Sequence, residues 1–110
     1  MVKDVATMEP GDYRLAAQQI ARAGIDRPTV ALVGYAPVLG AYLPGARVDA
    51  SAPPGRADAI VVDTLQVRTN GDPRGLRRWV AAHRGEYEAL RADRLRVFIR
   101  RSPRSSPTSG

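Results

Sequence analysis

Few residues in this chain are equipped for covalent chemistry, and their spacing does not suit it. There is no cysteine and one histidine, His83, so a metal site would have to rest on carboxylates. Asp58 and Asp63 flank the apolar run Ile60, Val61, Val62 five positions apart. On a strand, an odd spacing sends two side chains to opposite faces, so this pair does not chelate. Ser51 and Ser102 have no base nearby in sequence, and nothing assembles a nucleophile–base pair. His83 falls on the apolar side of a helical pattern, where an imidazole is packed and hydrogen-bonded rather than poised as a base. No catalytic residue, no metal and no cofactor is therefore expected in this chain.

Binding chemistry is what remains. In an open parallel sheet, ligands sit beyond the carboxyl ends of the strands. Here those ends are Gly34-Tyr35 and Asp63-Thr64. Tyr35 and Tyr42 offer ring faces for a sugar, and Asp63 offers acceptors for its hydroxyls. The plainer alternative makes Tyr42 a core residue and Asp63 a cap for the loop that follows. A dinucleotide is not expected, because the turn after the first strand reads VGYAPVLG and places Pro37 where an N–H should meet phosphate. No Gly-Lys-Ser/Thr sequence provides a P-loop either.

The second binding feature is charge. Of 17 basic residues 16 are arginines, and the formal net charge is +6. Residues 1–73 are close to neutral, with seven bases and eight acids. Arg74 to Arg101 contains nine arginines against Glu86, Glu88 and Asp93. Arg77, Arg78 and Arg84 fall off the apolar face of one helix, while Arg96 and Arg100 alternate away from Leu95, Val97 and Ile99. These five form a basic face. Nucleic-acid readers interleave aromatics with such charge, and here Trp79 lies on the apolar side, so no nucleic-acid partner is expected. A solvated face, or one drawn to anionic lipid headgroups, fits better.

The elements that would hold these groups follow from periodicity. Asp12 is placed to cap a helix over residues 13–23, with Tyr13, Ala16, Ala17, Ile20 and Ala23 on one face and Gly24 as its stop. TVALVG (29–34) and AIVVD (59–63) are continuous apolar runs, the mark of strands covered on both faces. APVLGAYL (36–43) predicts a short helix, ARVDA (46–50) a short polar strand, and SAPPGR (51–56) and QVRTNG (66–71) loops. Asp72-Pro73 starts a helix over 73–84 with Leu76, Trp79, Val80 and His83 on its apolar face. EYEALRA (86–92) then pairs with LRVFIRR (95–101) as a hairpin, unless the helix runs on to Ala92. Residues 1–11 form a lead-in, 12–101 one domain, and the Ser/Pro-rich 102–110 a disordered tail.

Alternating helices and buried strands predict an α/β fold: a small three-layer, Rossmann-like domain. Its sheet is mixed and mostly parallel, with an antiparallel C-terminal hairpin. The first two apolar runs are its adjacent central strands. No apolar run approaches the roughly 20 residues that span a bilayer.

Three segments, DYRLAAQQIARAG, TVALVGYAPVLGAYLPGARV, and ADAIVVDTLQ with LRRWVAAHRGEYEALRADRLRVFIRR, carry a resemblance over about residues 12–101. They are similar to the soluble C-terminal domain of bacterial polytopic glycosyltransferases, of the protein mannosyltransferase and aminoarabinose transferase type, which use polyprenyl-phosphate sugars. The membrane spans and membrane-proximal catalytic acids of that family have no counterpart here, so no catalytic residue carries over. The resemblance implies a non-catalytic accessory domain on the extracytoplasmic face of the membrane. Its implied partners are the membrane-embedded part of the transferase, an anionic membrane surface, and a sugar or polyprenyl-phosphate acceptor. The rival expectation is a free-standing, cytoplasmic binding protein for a phosphorylated or sugar-like metabolite.

Overall fold

A computed structural model describes residues 10–72 and 75–101. The first helix, α1 (Pro10–Arg22), starts two residues before the expected cap. Proline suits a first helical turn, where its missing N–H is not needed. Asp12 is thus inside the first turn rather than capping it, and its buried carboxylate faces Arg94. Tyr13, Ala16, Ala17 and Ile20 are the buried stripe; Ala23, expected on the same face, is exposed because the helix ends at Arg22, and Gly24 turns the chain at φ 73°.

Strand β1 (Thr29–Val33) is followed by helix α2 (Ala36–Tyr42) and the short strand β2 (Arg47–Asp49). A 3-10 turn (Pro54–Arg56) interrupts the expected loop before β3 (Ala59–Asp63). Helix α3 (Thr64–Asn70) replaces the loop expected over 66–71. Its cap is Asp63, whose Oδ1 accepts from the N–H groups of Leu65 (3.0 Å) and Gln66 (3.3 Å), and Gly71 terminates it at φ 80°. Both signals were present in the sequence.

Helix α4 (Leu76–Ala82) is shorter than the expected 73–84 helix. Asp72 still organises its start, accepting from the N–H groups of Leu76 (3.0 Å) and Arg77 (2.8 Å). A 3-10 turn (Arg84–Glu86) leads into β4 (Tyr87–Ala92), which pairs with β5 (Leu95–Arg100) across Asp93-Arg94. The hairpin therefore holds and the continuous helix to Ala92 does not. The lead-in over 1–9 and the tail over 102–110 lie outside the described residues.

The strand order is β2-β1-β3-β5-β4. β1 is parallel to both β2 and β3, with Leu32 opposite Val61, while β3–β5 and β4–β5 are antiparallel. This is the mixed three-layer α/β sheet, with β1 and β3 adjacent at its centre. Alternation assigns each side chain to a layer. Val30, Leu32, Val61 and Val97 meet α1 and α2 on one face. Ala31, Ile60 and Val62 meet α4 on the other, with Leu76 and Val80. Because both parities of β3 are covered, its run has no polar position before Asp63.

β5 is interior, and the edge strands are β2 and β4. Gln19 Nε2 donates to the Arg91 carbonyl (2.9 Å) and Arg101 Nε to the Tyr87 carbonyl (3.0 Å). Both bonds occupy acceptors that a further strand would use. Trp79 is only half-buried and does not anchor the core. It stacks on His83, with centroids 3.8 Å apart, and donates from Nε1 to the Tyr87 hydroxyl (3.0 Å).

Candidate functional site

The first site to weigh is the crevice at the carboxyl ends of β1 and β3. The chain leaves β1 for a helix on one face of the sheet and leaves β3 for a helix toward the other, the switch at which such folds bind ligands. The structure brings Gly34, Tyr35, Asp63 and Thr64 together there. Tyr42 closes α2, a helix of seven residues and about 10 Å away from the crevice. It is 38% exposed, so it is not a core residue.

The crevice is closed by a side chain that sequence reasoning did not single out for it. Tyr13 reaches in from α1, donates its hydroxyl proton to Asp63 Oδ2 (2.6 Å) and accepts from the Tyr35 N–H (3.1 Å). Arg94 bridges the two buried acids, its Nε lying 3.5 Å from Asp12 Oδ2 and 3.6 Å from Asp63 Oδ1. Thr64 Oγ1 donates to the Arg94 carbonyl (2.8 Å), and Gln66 Nε2 donates to the Tyr35 hydroxyl (2.7 Å). Asp63 is wholly inaccessible, with both oxygens engaged. The cluster works as a clasp between α1, β3 and the β4–β5 turn.

Burial, and then the hydrogen bond to Asp63, raise the Tyr13 phenol well above its ordinary 10.0. The folded state therefore keeps this proton at a pH where the unfolded chain has lost it. Its contribution is complete below about pH 10 and is lost as the pH rises further, by up to about 1.4 kcal/mol per unit. Chemical denaturation between pH 9 and 11.5 should show this decline, and Tyr13→Phe should flatten it.

The second site lies on the α4 side of the sheet. Arg77 on α4 and Arg84 in the turn after it face Arg96 on β5 and Arg101 just beyond. Between them runs a groove of about 380 Å³, floored by Val62, Val80, Ala81, Ala89 and Phe98 and flanked by Tyr87. The lining contains no acid, histidine, serine, threonine or cysteine. Among the described residues, none of these four guanidinium groups lies within ion-pair distance of a carboxylate. Arg91 is directly opposite Arg96 on the same face, and like charges so placed repel.

The expected basic face thus divides. Arg77, Arg84 and Arg96 converge on the groove, together with Arg101. Arg78 is exposed on α4 outside the lining. Arg100 does not belong to an open basic face at all. Its guanidinium donates to the carbonyls of Ala57 (3.1 Å), Gly55 (3.3 Å) and Pro54 (3.4 Å), pairs with Glu86 (3.2 Å), and lies 5.1 Å over the Tyr87 ring. It is a strut for the 3-10 turn before β3. His83 holds the packed position expected of it, Nδ1 lying 2.8 Å from the Trp79 carbonyl.

With cationic walls and an apolar floor, the groove is equipped to bind an anion. No family model, curated protein or solved structure matches this chain. Among the described residues, no three His, Cys, Asp or Glu gather to hold a metal ion. No helix among them is long and apolar enough to cross a membrane.

Proposed function

We propose that this chain is a non-catalytic binding domain whose basic groove faces a phosphate-bearing partner. In this reading it is the extracytoplasmic accessory domain of a membrane glycosyltransferase. There it lies within a Debye length of anionic headgroups and helps receive a polyprenyl-phosphate or sugar acceptor. The observation that carries the reading is the convergence of Arg77, Arg84, Arg96 and Arg101 with no acid among them. Guanidinium groups match phosphate in paired hydrogen bonds, and Arg keeps its charge at any physiological pH. A second reading, a free-standing binder of a phosphorylated or sugar-like metabolite, draws on the groove's volume, which falls within the range of small-molecule sites.

Co-sedimentation at near-physiological salt tests this. Vesicles rich in anionic lipid should retain the domain and neutral vesicles should not. Neutralising Arg77 and Arg84 together should reduce the retained fraction several-fold. Duplex DNA and single-stranded RNA should bind weakly. Tight, steeply salt-dependent binding to nucleic acid without vesicle binding would overturn the proposal.

A further inference from the structure

We infer that the groove is a built site for one molecule of an anionic amphiphile, a single phosphate or carboxylate head on a short apolar body. This deepens the proposed reading of the basic face and rests on it, since the same arginines meet the head. The two components of the groove make different demands. Its walls are four guanidinium groups with no acid in the lining, so they call for an anion. Its floor exposes the carbon of Ala81, Ala89 and half-buried Phe98, surface that a bare phosphate would leave in water.

Only a ligand with both parts satisfies both surfaces, and about 380 Å³ takes a head group with a short apolar segment. A polymeric anion would lie across the arginine rims and leave the floor uncovered. The opposed Arg91 and Arg96 supply a separate argument. Their mutual repulsion on one sheet face is relieved when an anion sits between or beside them. Arg96 Nη1 donates to the Asp93 and Leu95 carbonyls and Arg101 Nε to the Tyr87 carbonyl, which orients both side chains, and a guanidinium has five donors. The chain's own segment 102–110 is no complement to the groove, because it carries Arg104, no acidic side chain and no apolar one beyond Pro103 and Pro107.

Isothermal titration of the full chain with octyl phosphate, at concentrations where it remains monomeric, tests the inference. The expected result is saturable 1:1 binding, at least tenfold tighter than that of inorganic phosphate or of octanol. Arg77→Gln combined with Arg84→Gln, both exposed positions, should weaken it tenfold or more with the melting temperature unchanged. Arg96→Gln should do the same, while Arg78→Gln, on the same helix but outside the lining, should leave it unaltered. Octyl phosphate binding no tighter than inorganic phosphate would overturn the inference while leaving vesicle attraction, and the broader reading, standing. Binding indifferent to the arginine variants would overturn it too, as simple apolar adhesion. Saturable octyl phosphate binding without vesicle retention would keep the inference and remove the membrane placement.

Discussion

Gly34→Ala is expected to destabilise the domain by about 3–5 kcal/mol, a large share of what holds a domain of this size together. Gly34 sits at the end of β1 with φ 153°, in a region that residues with a Cβ rarely adopt. An added Cβ would lie 2.6 Å from the Tyr13 hydroxyl oxygen and 3.2 Å from Asp63 Cβ. The backbone must then shift or the Tyr13–Asp63 hydrogen bond must break, and both hold the crevice closed. Thermal unfolding should show a loss of roughly 15–30 °C. A loss below about 5 °C would mean that the clasp yields easily. Gly24→Ala is the control: its φ is also positive, but nothing lies within 4 Å of its added Cβ, so only the backbone cost of about 1 kcal/mol remains.

Asp63→Ala should cost about as much, roughly 3–5 kcal/mol, by a different route. It removes the α3 cap, leaves the Tyr13 hydroxyl without its acceptor, and takes away one of the two acids paired with Arg94. Tyr13→Phe alone should cost about 1–3 kcal/mol, since it deprives both Asp63 and the Tyr35 N–H of a partner. In the double variant the two costs should overlap, with a coupling of about 0.5–3 kcal/mol. Strict additivity in urea denaturation would show that the 2.6 Å contact contributes nothing of its own.

Octyl phosphate titration and Gly34→Ala examine opposite faces of one sheet. Loss of groove binding in the arginine variants, with unfolding unchanged, would separate the binding surface from the clasp. The clasp residues Tyr13, Asp63 and Arg94 are buried or half-buried and serve the fold. The groove arginines Arg77, Arg84 and Arg101 are exposed, and Arg96 is half-buried, so they contribute little to the core.

The sequence by itself determined the layers of this protein. Continuous apolar runs at 29–34 and 59–63 can only be central strands, because a strand exposed on one face would show polar residues at alternate positions. Helical spacing placed Tyr13, Ala16, Ala17 and Ile20 on one buried stripe, and Asp93-Arg94 between two alternating segments marked the hairpin. Local signals also encoded α3, through Asp63 before it and Gly71 after it, though no apolar periodicity of useful length accompanied them. Periodicity gives a side chain its face, but it does not say what lies across that face. Arg96 and Arg100 share one parity on one strand, yet Arg96 opens on the groove while Arg100 is captured by carbonyls 43–46 residues away. The tyrosine that closes the crevice lies 50 residues from its aspartate. Contacts of that range depend on how α1, the 3-10 turn and the β4–β5 hairpin pack against the sheet. Packing buries apolar area without regard to which polar groups it brings together, so only the tertiary structure decided which arginines remained unpaired around the groove and which became struts.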